Sequence, residues 1–156
     1  MKRLMSQVRE FADCNAFPLD KDVRASTPLI DPLVSLILLR SAEQLEATMR
    51  ELDEVVDCDL RISRAHLIVE ELAELIRGMA AKDVIETSDG IADLAYVVAG
   101  TAAAFGLPLE ALCDEVHASN MSKEMDGAHK PEKGVHYFKP DIRGVLERNM
   151  VLRSQR

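Results

Sequence analysis

The sequence predicts an all-α fold, and three observations support that prediction. Aromatic residues make up only 4% of the chain and Trp is absent, although 47% of the residues are hydrophobic. The core must therefore be built from aliphatic side chains, which helices accommodate well. Apolar residues recur at helical spacing, and no segment of useful length shows the alternation of a strand. We expect one domain over residues 1–156, with a four-helix-bundle core that assembles into an oligomer.

The first third of the chain contains two predicted helices and a connection between them. Residues 2–15 have the amphipathic pattern of a short helix. Residues 17–32 contain three prolines and are predicted to be an irregular connection. Residues 33–56 are again helical in pattern, and the pattern is interrupted just after them. We regard segment 33–58 as a candidate added helix that makes oligomer contacts or forms a lid.

Two helices are predicted in the middle of the chain and two more after it. Ser63 is a candidate N-cap for the first of these, and Thr87 or Ser88 for a helix over residues 89–105. Gly106 is suited to end that helix.

The end of the chain is expected to hold a longer helix, a loop and a short helix. Pro108 suits the first turn of a helix over residues 109–125. Residues 126–139 are predicted to be a polar loop, and residues 140–149 a last short helix.

Composition and charge exclude several classes of protein. The formal net charge is −8, and no basic stripe is present, so we expect no nucleic-acid partner. The three Cys residues are far apart and include no CxxC pair, which argues against a disulfide framework or a structural zinc site. The chain begins without an apolar signal region, and the apolar run at 33–39 is too short to span a bilayer. We expect a cytoplasmic protein with no membrane partner.

Acidic residues cluster on two successive predicted helices. At about 100° per residue, Glu70, Glu71 and Glu74 share one arc of the first helix. Asp89 and Asp93 lie one turn apart on the second. Two helices with carboxylates on one face can hold divalent cations, and oxygen-bound cations suggest phosphate chemistry. The alternative is a solvated face, although like charges at these spacings are mildly unfavourable unless a cation is near.

The surroundings of the second helix favour the metal hypothesis. Its residues are apolar nearly all round, which is typical of a buried helix, so we expect Asp93 to be buried. A buried carboxylate needs an arginine, backbone donors or a metal. Asp93 therefore either bridges within the core or binds a metal together with the glutamates. Within the first helix only Arg77 is placed to relieve the charge of Glu74.

Several motifs follow one another in a characteristic order. They are Glu70-Glu71-x-x-Glu74, Ala92-Asp93-Leu94-x-Tyr96-Val97, Ser119-Asn120-Met121-Ser122-Lys123 and Lys139-Pro140-Asp141. Over about residues 63–149, this order resembles the all-α nucleoside triphosphate pyrophosphohydrolases. That group includes MazG-like proteins, dimeric dUTPases and phosphoribosyl-ATP pyrophosphohydrolase. The group usually carries Glu three positions before the aspartate, where this chain has Gly90, and Asp89 is the obvious stand-in.

The resemblance implies a function and roles for these residues. The reaction would be Mg²⁺-dependent hydrolysis of a (d)NTP to the monophosphate and pyrophosphate, with Mn²⁺ as a substitute metal. Glu71, Glu74 and Asp93, together with Asp89, would hold the metal. Glu70 would orient or deprotonate the attacking water. The resemblance also implies a homodimer or homotetramer.

Polar residues near the end of the chain are candidates for substrate binding. Asn120 and Lys123 lie one helical turn apart and suit phosphate or sugar recognition, although Lys123 also suits the negative end of a helix dipole. Lys130, Lys133 and Lys139 lie in the predicted loop, either solvated or closing on substrate. Tyr137 and its neighbour Phe138 would stack on a base or pin the loop.

Three functional classes stay open from the sequence alone. The first is the NTP pyrophosphohydrolase, or a phosphoribosyl-ATP or nucleoside diphosphate hydrolase that uses the same site. The second is a helical bundle that binds nucleotide, or a partner helix, without turnover. The third is a structural helical oligomer in which the acidic arcs are solvated surface.

Overall fold

The computed structural model describes residues 2–15, 32–56, 59–125 and 131–149 and confirms the all-α prediction. The described elements, in chain order, are α1 (Lys2–Cys14), α2 (Pro32–Val55), α3 (Leu60–Ala81), α4 (Val84–Ala104), α5 (Leu109–Met121), β1 (Glu124–Met125), β2 (Pro131–Glu132) and α6 (Ile142–Asn149). The two short strands pair antiparallel, with Glu124 opposite Glu132. The helix predicted over 109–125 therefore ends at Met121. Most of the predicted connection at 17–32, and Lys130 in the predicted loop, fall outside the described residues.

Two helices begin earlier than predicted because aspartates cap them. Asp59, not Ser63, caps α3, and its Oδ1 accepts a hydrogen bond from the Arg61 backbone N–H (2.8 Å). The Arg61 guanidinium also lowers the pKa of Asp59 to about 2. The Ser63 hydroxyl instead contacts Asp53 Oδ1 at 3.3 Å. The predicted caps of α3 and α4 were placed one turn too far along the chain.

The same correction applies to the start of α4. Asp83 Oδ1 accepts from the backbone N–H groups of Ile85 (2.9 Å) and Glu86 (3.2 Å). Thr87 and Ser88 lie inside the helix, where their hydroxyls donate to backbone carbonyls one turn earlier (2.6 Å each). Hydroxyl side chains satisfy helical carbonyls as readily as they cap, so sequence pattern does not separate the two roles.

Residues in the left-handed conformation follow the ends of α3 and α4. α3 ends where Lys82 takes the left-handed conformation (φ 59°), with its N–H directed at the carbonyls of Gly78 and Met79. Gly106 has a φ of 64° and terminates the segment after α4, as predicted. Pro108 directly precedes α5.

The described chain divides into two compact units. The middle unit comprises residues 22–101 and holds α2, α3 and nearly all of α4. The terminal unit combines residues 1–21 with residues 102–156 and holds α1, α5, the two strands and α6.

In the middle unit, glycines bring the backbones of α3 and α4 close together. A Cβ on Gly78 would lie 2.7 Å from the backbone N of Thr87, and a Cβ on Gly90 would lie 2.8 Å from the Cα of Leu75. Neither distance is compatible with a side chain. The two helices are therefore held at a close separation just after the acidic residues of α3.

In the terminal unit, polar contacts link α1 to α5. Gln7 Nε2 donates to Asp114 Oδ1 (2.7 Å), and Arg3 forms an ion pair with the same carboxylate (2.8 Å). His117 of α5 contacts Glu10 of α1 at 3.3 Å, which adds a third polar contact between the two helices.

The buried residues of the described chain are small. The apolar residues that are buried are Ala12, Ala42, Ala73, Val97, Ala102 and Val145, and no large side chain among the described residues is fully buried. On α2, Leu33 and Val55 are 62% and 80% exposed. The prediction that α4 is buried nearly all round is wrong for a single copy of the chain, because Ile91 is 56% and Tyr96 79% exposed. An apolar pattern indicates that a face is covered but does not say by which partner.

Among the described helices, no single one combines the length and the apolar composition needed to cross a membrane.

Candidate functional site

The predicted carboxylates of the middle unit influence one another. Burial raises the pKa of the Glu71 carboxyl, and repulsion from Asp93, Glu74, Glu70 and Asp89 raises it further. Glu71 thus interacts with each of the other four acidic residues that the sequence nominated. The structure brings all five into one electrostatic neighbourhood, which we call the acidic cluster.

The acidic cluster has no internal counter-charge. Among the described residues, none of its five carboxylates forms an ion pair or a side-chain hydrogen bond. Arg77, expected to relieve Glu74, instead binds Glu46 of α2 (3.0 Å). That contact lowers the pKa of Glu46. The negative charge of the cluster is therefore left for a ligand to neutralise.

The cluster is open to solvent, which corrects the expectation that Asp93 is buried. Asp89 and Asp93 are exposed, as is Glu74, whereas Glu70 and Glu71 are partly buried. Asp93 does not bridge within the core of the described chain, because the residue is exposed. Exposed carboxylates beside partly buried ones suit a site that receives a soluble ligand.

Gly90 explains why this chain departs from the pattern of the group it resembles. The residue is buried at a close approach of α3 and α4, where its missing Cβ makes room for the Leu75 backbone. A glutamate cannot occupy that position while the two helices keep this separation. Asp89, one residue earlier, is exposed and lies near enough to Glu71 to raise its pKa.

The predicted substrate-binding residues belong to the terminal unit. Asn120 lines a cavity of about 320 Å³ whose other walls are mostly apolar residues of α1 and α5. Lys123 is partly buried just after α5. The Nζ of Lys133 lies 5.1 Å from the centroid of the Tyr137 ring, a cation–π contact. Lys139 is exposed.

Two serines of the Ser119-to-Lys123 segment have structural roles. The Ser119 hydroxyl is buried and donates to the Phe138 carbonyl (2.8 Å). The Phe138 backbone N–H donates to the Ser122 hydroxyl (3.1 Å). These bonds attach the segment that carries Tyr137 and Lys139 to the end of α5. Phe138 is therefore held through its backbone, while its ring is 46% exposed.

The sequence did not single out Arg64 of α3. Its Nη2 donates to the Val97 carbonyl of α4 (2.9 Å), and its Nε donates to the Thr101 hydroxyl (3.1 Å). The available signal was its position seven residues before Glu71, which places Arg64 on the same side of the helix as that carboxylate.

The donor set of the acidic cluster suits a hard cation. Its donors are all carboxylate oxygens, the type of ligand that Mg²⁺ and Mn²⁺ accept. Among the described residues, no three acidic, His or Cys side chains converge closely enough to enclose a metal ion. Mg²⁺ does not need such a cage, because it keeps several waters and binds one or two carboxylates plus substrate phosphates. The residues fit an open magnesium site and do not fit a closed zinc site.

Comparison with known proteins identifies the family. The sequence model of the family described as phosphoribosyl-ATP pyrophosphohydrolase matches residues 40–120, which is more than half of the chain. The matched region runs from within α2 to the end of α5 and includes the whole acidic cluster. No curated protein and no solved structure matches the chain. The chain belongs to the phosphoribosyl-ATP pyrophosphohydrolase family, within the all-α NTP pyrophosphohydrolase superfamily, and is a hydrolase of acid anhydrides that acts on nucleotide-like substrates.

Proposed function

We propose that the protein is a Mg²⁺-dependent nucleoside triphosphate pyrophosphohydrolase that converts a (d)NTP to the (d)NMP and pyrophosphate, with nucleotide-pool house-cleaning as its role. The observation that carries this proposal is the acidic cluster, whose five carboxylates lack an internal counter-charge among the described residues and lie within the family match. Such a cluster is unfavourable by itself and becomes favourable when a cation and a polyphosphate occupy it.

Four carboxylates of the cluster are assigned to the metal. Glu71, Glu74, Asp89 and Asp93 would hold Mg²⁺, with Mn²⁺ as a substitute. When bound, the metal neutralises charge on phosphate oxygens and lowers the pKa of a bound water. Asp89 is assigned in place of the glutamate that Gly90 excludes.

Glu70 is assigned as the base. It would accept a proton from water as the water oxygen bonds to phosphorus. The bridging P–O bond between the α- and β-phosphates breaks, its electron pair stays on the bridging oxygen, and the nucleoside monophosphate and pyrophosphate separate. Glu70 directly precedes Glu71 on α3 and is partly buried, so it lies beside the carboxylates assigned to the metal.

Substrate contacts are assigned to the terminal unit. Asn120 and Lys123 would recognise sugar or phosphate, and Lys133 and Lys139 would contact phosphate. Tyr137 would stack on the base. The cation–π contact between Lys133 and Tyr137 supports a joint role, because it holds a positive charge and an aromatic face side by side.

Assembly into a homodimer or homotetramer is part of this proposal. The large apolar side chains exposed on α2 and α4 need a cover, and a second copy of the chain supplies one with matching apolar faces. Light scattering coupled to size exclusion tests this directly. A monodisperse monomer at micromolar concentration would rule it out.

The family description favours one second candidate substrate. Phosphoribosyl-ATP carries the same α–β phosphate anhydride bond, so the same cluster can serve its hydrolysis. A panel of NTPs, dNTPs and phosphoribosyl-ATP, assayed with Mg²⁺ and with products identified by ion chromatography, separates the two candidates.

The panel should include variants that connect activity to the cluster. Glu74→Gln removes one proposed ligand, and we expect turnover to collapse while the melting temperature is retained. Glu51→Gln is the matched control, because Glu51 is an exposed carboxylate on α2 without a side-chain contact in the described residues. No pyrophosphate release from any substrate at high enzyme concentration would refute the proposed function.

A further inference from the structure

Arg64 differs from every other basic residue of its helix. α3 carries Arg61, Arg64, His66 and Arg77. Arg61 pairs with Asp59, His66 contacts Asp53 (3.1 Å), and Arg77 binds Glu46 (3.0 Å). Arg64 has no carboxylate partner among the described residues and contacts only a carbonyl and a hydroxyl. Its charge is thus partly buried without an opposite charge.

A partly buried cation of this kind is costly unless an anion neutralises it. A guanidinium has five N–H donors, and the contacts to Val97 and Thr101 use two of them. The remaining donors keep the planar fork geometry that matches a phosphate group. Neutral acceptors such as the Val97 carbonyl orient the side chain but do not offset its charge.

The position of the guanidinium relates it to the acidic cluster. Arg64 precedes Glu71 by seven residues, which is two turns on the same side of α3. On α4, Val97 follows Asp93 by four residues, a rise of about 6 Å. The Val97 carbonyl that accepts from the guanidinium therefore belongs to a residue about one helical turn beyond Asp93, the nearest carboxylate of the cluster along α4.

Gly100 leaves space on α4 for the Arg64 guanidinium. A Cβ at that position would lie 2.8 Å from Arg64 Nη2. The contact would fall on the far end of a flexible side chain, so an alanine there would displace the guanidinium rather than separate the helices. The Thr101 hydroxyl donates to the Val97 carbonyl (2.7 Å), so the two groups that accept from the guanidinium are bonded to each other.

We propose that Arg64 forms an anion subsite of the middle unit. Its guanidinium, held by Val97 and Thr101, binds a non-bridging phosphate oxygen of a di- or triphosphate. The acidic cluster holds the metal of the same di- or triphosphate. The proposal rests on the proposed function and deepens it, because it assigns a substrate-binding residue that neither the motifs nor the family match assigns. Arg64 touches the phosphate, whereas Val97, Gly100 and Thr101 are positioning residues that act through it.

The test measures pyrophosphate binding, so it does not depend on turnover. Isothermal titration of inorganic pyrophosphate in the presence of saturating Mg²⁺ is compared among the wild type, Arg64→Met, Arg64→Lys and Gly100→Ala. Arg61→Met is the control, because that arginine is exposed and paired with Asp59. We expect Arg64→Met to weaken pyrophosphate binding on the order of 10- to 100-fold, as for the loss of a charge-assisted hydrogen bond. Arg64→Lys and Gly100→Ala should give smaller losses, and Arg61→Met none.

Each outcome decides the proposal. Wild-type pyrophosphate affinity in Arg64→Met overturns it, and so does an equal loss in Arg61→Met, which would indicate a general charge effect. If Arg64→Met does not fold, Gly100→Ala decides, since it keeps the charge and moves only its place. Unchanged affinity in a folded Gly100→Ala then overturns the subsite. A wild-type protein that binds pyrophosphate through Arg64 but hydrolyses no nucleotide would refute the proposed function and leave the subsite standing.

Discussion

The two sides of α3 differ in whether their charged side chains are paired within the protein. Toward α2, charged and polar side chains are matched, with Arg77 on Glu46 and both Ser63 and His66 on Asp53. Toward α4, the same helix presents carboxylates without cations and an arginine without a carboxylate. The matched side needs nothing from outside the protein.

This contrast indicates which charges are structural and which are functional. Ion pairs within the chain lower the energy of the fold alone, and each partner satisfies the other. Unmatched charges raise the energy of the empty protein and lower it only when a ligand is present, which is a general property of binding sites. The α3–α4 side is therefore the side where substitutions should change activity more than stability.

The largest expected effect is on catalysis. Glu70→Gln removes the proposed base without altering a contact in the described structure, so we expect kcat to fall by about 10²- to 10⁴-fold with the melting temperature unchanged. Steady-state kinetics on the best substrate of the panel measure this. A kcat within a factor of two of wild type would exclude Glu70 as the base and transfer that role to another carboxylate of the cluster.

The second effect is on the fold of the unmatched side. Gly90→Glu installs the residue that the related group usually carries, yet its Cβ would meet the Leu75 backbone at 2.8 Å. We expect a loss of at least about 1–3 kcal/mol in the free energy of unfolding, together with loss of activity. Ser88→Glu is the control, since it adds the same charge at an exposed position of α4. A Gly90→Glu protein that is as stable as wild type would show that α3 and α4 can separate at little cost.

The third effect breaks the matched side. Arg77→Met removes one of the two arginines that pair with Glu46, and Arg50 remains. We expect the free energy of unfolding to fall by about 0.5–1 kcal/mol at neutral pH with kcat unchanged. The pKa of Glu46 is lowered in the folded protein, so this contribution is present above the ordinary value of 4.5 and is lost as pH falls through the lowered pKa. Urea denaturation at pH 7 and below pH 4 measures it. A large loss of activity in Arg77→Met would contradict the division between the two sides.

The smallest expected effect is a gain in stability, whereas the preceding substitutions are expected to cause losses. The pKa of Glu71 is raised above 4.5, so the folded, metal-free protein binds more protons there than the unfolded chain, and its stability falls as pH rises through the raised pKa. Glu71→Gln removes this repulsion and should raise the melting temperature of the metal-free protein slightly at pH 8 but not at pH 4. Added Mg²⁺ should stabilise wild type more at pH 8 than at pH 5, and should stabilise Glu71→Gln less. A lower melting temperature for Glu71→Gln at pH 8 would count against this account of the cluster.

The sequence predicted those features that local pattern determines. Helical spacing gave the all-α class, and the spacing of Glu70, Glu71 and Glu74 gave the glutamate arc of α3. Gly106 ended its segment as a left-handed glycine should. The caps were misplaced because aspartate, serine and threonine compete for the same role within one turn.

Features that depend on contacts between helices could not be predicted in this way. The exposure of Asp93 followed from how much of α4 one chain covers, which periodicity does not specify. Arg77 binds Glu46 of α2 and not Glu74 of its own helix. The sequence does not distinguish Arg64 from other helix arginines, because its hydrogen bonds to Val97 and Thr101 are made to another helix.

The close contact at Gly90 also has a consequence for evolution. Some glycine codons become glutamate codons by a single base change, so the usual acidic residue of the group is genetically near for this lineage. The Leu75 backbone makes the same step structurally distant, because the new side chain has no space unless α3 and α4 first move apart. A change to the common ligand pattern would need an earlier change that loosens the helices. The order of substitutions, and not only their identity, therefore decides which acidic residues a descendant of this protein can use.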